Sequence, residues 1–223
     1  MTEFTTWRSL VDGAEISVIP DSGVGQNSIA IWNFADDDDT SILSDQIGDF
    51  DGDIRGMDYV DDDDAGRTVG HFDGVDDDVI GMGLPTFAEY SIGLIIKPIN
   101  SEDLDTYMAF RENNTMDLRK RNGDWQVTQD DGEDFKTMDI EPVVDDTYQT
   151  IVIRWDGSTQ FASVNSIDNQ VSQSMTEMDV RGESDHFGDT VDQDRPAECK
   201  FALVEVSDQD EGESFESDFH DLI

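Results

Sequence analysis

Tyr90–Pro98 reads YSIGLIIKP. Ile92, Leu94 and Ile96 take alternate positions, with Ser91, Gly93 and Ile95 between them. A repeat of two is that of a β-strand, whose successive side chains leave on opposite faces. The pattern predicts a strand buried on one face and partly covered on the other. Ala14–Pro20 (AEISVIP), Ile29–Phe34 (IAIWNF), Thr147–Trp155 (TYQTIVIRW) and Lys200–Ser207 (KFALVEVS) share its character. All are short and rich in β-branched or aromatic residues, which suit a pleated, half-buried surface.

Between these runs stand Asp12-Gly13, Asp51-Gly52, Asp73-Gly74, Asp131-Gly132, Asp156-Gly157 and Asn122-Gly123. Such pairs tolerate the positive φ of tight hairpins, so the chain reads as hairpin-rich. Met116–Arg121 and Asp124–Thr128 around Asn122-Gly123 make the clearest hairpin. Only Ser214–Ile223 has helical spacing, with Phe215, Phe219 and Leu222 on one side. The expected fold is all-β, an antiparallel two-sheet jelly-roll sandwich with a short C-terminal helix. Residues 1–28 are expected to be an arm or extra strand, and residues 29–223 the domain.

The 223 residues carry 54 acidic and 13 basic side chains, a net charge of -41. Self-repulsion of that size destabilises a compact state in dilute buffer. Low hydrophobicity with high charge also marks disorder. Here 36% of residues are hydrophobic and 12 Phe and 4 Trp are spread along the chain, which argues for a folded domain with an acidic skin. In molar salt the Debye length shrinks to about 3 Å, and neighbouring carboxylates repel weakly. The chain has only four Lys. This is the composition of haloarchaeal proteins and of the viruses that infect them. It excludes nucleic acid and anionic membrane as partners, since both require basic patches. Cys199 is alone, so there is no intrachain disulfide. Met1–Leu10 lacks signal-peptide architecture, and no apolar run reaches the roughly 20 residues of a membrane span.

From Ile29 onward the order of motifs resembles the laminin-G-like, concanavalin-A-like lectin–glucanase superfamily. The resemblance rests on Trp32-Asn33-Phe34, Ser44–Gly52 (SDQIGDFDG), His71–Val79 (HFDGVDDDV), Phe87–Pro98, Gln149–Asn165 (QTIVIRWDGSTQFASVN) and Lys200–Val206. Ile95 stands where the family's strand commonly has Trp, and Ala202 where its closing strand has Asp. The resemblance implies two face-to-face antiparallel sheets. The family's functions span glycan binding, adhesion, virion decoration and glycoside hydrolysis, so the fold does not select among them.

Glycosidases of this superfamily place paired carboxylates on one strand. Glu183-Ser-Asp185 and Glu216-Ser-Asp218-Phe-His220 are the nearest runs, and both lack the second Glu. His71, His186 and His220 are isolated, with no zinc-ligand spacing. Gly23-Val-Gly25 lacks the third glycine of a dinucleotide loop. Asp36–Asp39, Asp61–Asp64 and Asp76–Asp78 read first as solvated loops. Asp49, Asp51 and Asp53 alternate, offering the hard oxygens that Ca²⁺ takes, and the family resemblance adds Asp45. Trp125 and Tyr107 are candidates for glycan contact, although both also suit a core. Arg119-Lys120-Arg121 is the one basic cluster, suited either to neutralising nearby carboxylates or to docking an acidic partner. Asn113-Asn-Thr115 is a glycosylation sequon.

The leading expectation is a non-enzymatic structural or adhesive protein of a haloarchaeal virus particle (capsid decoration, turret or tail-associated). It would be located in the virion, contact other virion proteins or copies of itself as a homo-oligomer, and attach to a host surface glycan. The alternative is a calcium-dependent carbohydrate-binding module at the haloarchaeal cell surface.

Overall fold

β9 (Tyr90–Pro98) is buried along its whole length. Ile92, Leu94 and Ile96 enter the main core, while Ile95 joins a second apolar cluster on the opposite face. A strand clad on both sides lies at the centre of its sheet. The computed structural model of the chain describes residues 6–8, 15–17, 27–34, 41–85, 87–110, 116–130, 135–175, 185–189 and 195–223. Around β9, the back sheet runs β16 (Val171–Ser174), β15 (Thr159–Val164), β14 (Gln149–Trp155), β9, β18 (Glu198–Ser207), β7 (Arg67–Asp73) and β6 (Asp58–Asp62). β3 (Ser28–Asn33) pairs with the far half of β18.

The front sheet runs β13 (Phe135–Pro142), β12 (Asp124–Asp130), β11 (Met116–Arg121), β10 (Thr106–Phe110), β17 (Asp185–Phe187), β8 (Asp78–Ile80), β5 (Gly52–Arg55) and β4 (Ile42–Leu43). Pairing is antiparallel throughout both sheets. The molecule is therefore an all-β two-sheet sandwich, with one α-helix among the described residues, α1 (Gly212–His220). β1 (Thr6–Arg8) and β2 (Glu15–Ser17) pair with each other as a separate two-stranded ribbon. Ala14 and Val18–Pro20 of the predicted first strand lie outside the described residues, as do Asp12-Gly13, Gly23–Gly25, Asp36–Asp39, Asn113–Thr115 and Asp131-Gly132.

The aromatic residues meet between the sheets. Trp32 and Phe187 pack edge to face at 5.3 Å, and Phe201 lies 5.2 Å from Phe72 and 5.3 Å from Phe34. Each such ring, fully buried, contributes about 1.5–3 kcal/mol of apolar transfer. Trp32 donates its indole N–H to the Phe50 carbonyl at 2.8 Å, and Trp155 donates to Ala88 at 3.1 Å. Asn122 and Gly123 take φ of 54° and 95°, as the sequence predicts for a primed hairpin turn. Asp51-Gly52 does not turn. Gly52 opens β5 because a Cβ there would collide with Val79 and Met82.

The acidic run Asp61–Asp64 departs from its reading as a solvated loop. Asp62 is 5% exposed, and its carboxylate accepts the Lys200 ammonium at 2.7 Å and faces Lys97 at 3.5 Å. It also accepts the backbone N–H groups of Asp64 and Ala65. Burial alone would raise this carboxyl; Lys200, Ala65 N–H and Lys97 outweigh burial and hold it below the ordinary value. Lys97 and Lys200 are register partners on adjacent strands, so two of the chain's four lysines share one buried carboxylate.

Candidate functional site

The register decides which side chains the front sheet turns outward. Met116, Leu118, Trp125, Val127, Met138, Met108, Phe110, Phe187 and Val79 face the core. The alternate positions therefore face away. One row crosses the sheet through the partners Thr137, Thr128, Asp117, Ala109, His186, Ile80, Asp53 and Ile42. A parallel row holds Asp139, Gln126 and Arg119 on one flank and Asp78 and Arg55 on the other. Burial deepens toward the middle: Ala109 and Asp78 are 0% exposed and Asp117 is 3%, while Thr137, Asp139, Asp53 and Arg55 at the margins are exposed.

Gln126 organises this face. Its carbonyl oxygen accepts Nε and Nη2 of Arg119 at 3.0 and 2.7 Å, and its amide donates to Asp139 at 2.6 Å. The three planar groups form a ladder across β11, β12 and β13. Farther across, His186 Nδ1 lies 3.5 Å from Asp78 Oδ2, and Arg55 lies 3.9 Å from the same oxygen. Guanidinium, amide and carboxylate thus follow one another at the spacing between strands, about 4.8 Å, and a second set of imidazole, carboxylate and guanidinium lies beyond β10. Groups of this kind bind hydroxyl pairs by donating and accepting at once.

Phe135 stands at the rim. It is the register partner of Asp130, two steps from the pair Thr128–Thr137, so it shares the outward face with the ladder. Its ring is 64% exposed, and among the described residues the other exposed large hydrophobics, Ile47, Val75 and Val144, are aliphatic. An exposed ring about 13 Å along the strand from planar polar groups on one face offers a stacking platform to an oligosaccharide long enough to meet both. Sequence reasoning missed Phe135, although its parity was available: it has the same alternation as Thr137 and Asp139.

Trp125 and Tyr107, the sequence candidates for glycan contact, are 0% exposed and pack on each other at 4.8 Å in the core. Trp125 donates to Gln149 at 3.1 Å. Inward parity, set by the outward Gln126 and Thr128, removes Trp125 from any surface role, and the bulge between Thr106 and Met108 turns Tyr107 into the core. Arg119, Lys120 and Arg121 do not act as one patch. Arg119 bonds Gln126, Lys120 donates to Ser101 on the opposite side of the strand, and Arg121 lies 3.9 Å from Asp103. Of these contacts, Arg121's is with a carboxylate and the other two are with uncharged groups; Arg119 alone joins the outward ladder.

Asp45 is bound up in the backbone. Its carboxylate accepts from Ile31 N at 2.9 Å, Ile47 N at 3.2 Å and Phe50 N at 3.3 Å, and Asp51 accepts from Asp45 N at 2.8 Å. Asp49 is exposed, and Asp53 belongs to the outward row of the front sheet. Among the described residues, the group of three carboxylates whose oxygens lie within 4.8 Å of one another is Asp73, Asp76 and Asp77, in the next loop. Asp77 accepts from Asp73 N at 2.6 Å; burial, and then its acidic neighbours Asp73, Asp76 and Asp58, push its carboxyl up. Glu216 sits on α1, bonded to Arg154 and Gln170, and Asp185 is buried in β17. Glu183 lies outside the described residues.

No protein-family model matches the chain, and no curated protein matches it. Solved structures do. Domain 4 of AbnA, a GH43 extracellular arabinanase from Geobacillus stearothermophilus, solved with arabinotriose, superposes with a TM-score of 0.67 at 16% identity, covering 88% of this chain and 98% of that one. The ligand-binding domain of botulinum neurotoxin serotype D, solved with N-acetylneuraminic acid, gives 0.68 at 13% identity over 87% of this chain and 50% of that one. The receptor-binding domain of the mosaic serotype C/D toxin gives 0.62 at 13% identity, over 82% and 48%. The chain spans about half the length of the toxin domains it matches. At these identities the likeness establishes the two-sheet sandwich fold.

Proposed function

We propose that this chain is a non-catalytic glycan-binding sandwich that serves attachment at the surface of a halophilic cell or virus particle. The observation that carries the reading is the exposed Phe135 ring on the same outward face of the front sheet as the Arg119–Gln126–Asp139 ladder, four residues along β13 from Asp139. An oligosaccharide stacks one sugar on Phe135 while the amide, guanidinium and carboxylate engage the hydroxyls of another sugar farther along the chain. Support comes from the arabinanase domain, nearly all of which this chain covers and which was solved with arabinotriose. The acidic skin suits an environment where salt screens it.

The test is calorimetric titration in about 3 M salt, with arabinotriose first and a panel of neutral and sialylated oligosaccharides after it. Saturable binding is expected. Phe135→Ala and Gln126→Ala should each weaken it about tenfold, the equivalent of roughly 1.4 kcal/mol. Repeating the titration with a chelator tests the calcium requirement that the acidic loops suggest. A scaffold touching only virion proteins would leave every saccharide unbound, and that outcome replaces the glycan reading with the capsid-decoration, turret or tail one.

A further inference from the structure

We propose that α1 is an acid-released latch, held on the back sheet by His220 while its imidazole is uncharged. The helix lies over the outward face of the back sheet. Phe215 and Phe219 pack there with Ile95, Val152 and Leu203, and Leu222 and Ile223 border them. His220, in the last turn, reaches between two strands: Nδ1 lies 2.6 Å from Thr150 Oγ1 on β14, and Nε2 lies 2.7 Å from Ser163 Oγ on β15. A neutral imidazole satisfies both contacts, donating through one nitrogen and accepting through the other. The residue is 7% exposed, so a second proton would place a cation where water cannot reach it.

The charged groups around the ring are accounted for element by element. On the helix, Glu216 and Asp221 favour the protonated ring. Glu216 is already engaged, its Oε2 accepting from Arg154 Nε at 2.9 Å and from Gln170 at 2.6 Å. On β14, Arg154 brings a cation, balanced by Glu216 and Asp210. β15 and β9 meet the helix at Ser163 and Gly93, which carry no charge, and β18 brings the buried Glu205, register partner of Gly93 and acceptor of the Ser28 hydroxyl. The 3-10 turn Ile167–Asn169 carries Asp168. Burial outweighs the two helix carboxylates and holds the ring's pKa down at about 4, against 6.5 in an unfolded chain. Between those values the docked state refuses a proton that the released helix accepts. Each unit of acidification therefore multiplies release about tenfold. Release would uncover Ile95, Val152 and Leu203 and free the apolar side of α1.

The test is hydrogen exchange of the full chain in about 3 M salt, following amides 213–222 and corrected for intrinsic rates. Opening of α1 is expected to rise about thirty-fold between pH 7.5 and pH 5.0, while amides of β9 and β18 keep their protection. In His220→Gln, which retains a donor and an acceptor without a titrating charge, the pH slope should vanish. A flat wild-type profile, or the same slope in His220→Gln, overturns the latch. Should that variant fail to fold, an NMR titration of the wild-type ring decides: a folded-state pKa near 6.5 refutes the mechanism, and one near 4 with pH-dependent α1 exchange upholds it.

Discussion

The ring of Phe219 occupies the space where a side chain at Gly93 would begin: an ideal Cβ built on Gly93 overlaps Phe219 Cδ2, Cε2 and Cζ. Gly93 lies at the middle of the central strand, between Ile92 and Leu94. The missing Cβ is thus a notch cut for the helix. Gly93→Ala should destabilise the fold by about 1–3 kcal/mol through overpacking and should loosen α1 before the rest. Thermal melts in high salt, with exchange of the helix amides, check this. An unchanged melting temperature would mean that the notch can relax.

Asp62 neutralises two lysines from inside the structure. Asp62→Asn keeps an acceptor for the backbone N–H groups of Asp64 and Ala65 but takes the carboxylate from Lys200 and leaves that lysine beside Lys97, which keeps Asp64 at 2.6 Å. A loss of about 3 kcal/mol is expected at pH 7. Because the folded-state carboxyl titrates below 3.8, its stabilisation is full above that value and disappears as pH falls through the lower one. The variant should therefore converge on wild type in strong acid. Denaturation at pH 7 and pH 3 measures the gap.

Asp185 predicts the opposite slope. It is fully buried and accepts from Leu84 N at 3.0 Å, and burial pushes its carboxyl up to about 7. The folded chain then holds a proton between pH 4 and 7 that the unfolded chain has released, so this residue's contribution falls as pH rises through that window. Asp185→Asn should stabilise at pH 8 by on the order of 2–4 kcal/mol and do little at pH 4. A melting temperature lower than wild type at pH 8 would contradict this assignment.

The net charge of -41 predicts a fold whose stability depends on salt. Lowering salt from molar to about 0.1 M lengthens the Debye distance from about 3 to about 10 Å, so each carboxylate feels many more neighbours. Circular dichroism should show the melting temperature falling steadily on dilution, with loss of strand signal before 0.1 M. A salt-independent melt would contradict the screening argument.

The strands were readable because burial imposes a repeat of two. YSIGLIIKP, the Asn122-Gly123 hairpin and the terminal helix with Phe215 and Phe219 all stand where local pattern puts them. What local pattern cannot carry is contact with distant residues. Gly52 is fixed by Val79, Asp62 by Lys97 and Lys200, and Asp45 by Ile31, none adjacent in sequence. Trp125 and Tyr107 attracted a surface reading because they flank turns, yet the alternation Trp125, Gln126, Val127, Thr128 already points the indole inward. The outward ladder stayed hidden because Arg119, Gln126 and Asp139 come from three strands whose register only the assembled sheet defines.

β3 and β18 are antiparallel, with Ser28 opposite Ser207 and Asn33 opposite Leu203. Tension applied through the two ends of the chain enters this ribbon at the Ser28–Ser207 end on both strands. Once α1 has given way, the load falls on one rung at a time, as in opening a zip, rather than on all the rungs in shear. Pulling the two strands apart from that end would therefore open the β3–β18 rungs in sequence, working against the buried Trp32 ring and the bonds that Asp45 and Gln46 make to Ile31 on the other edge of β3.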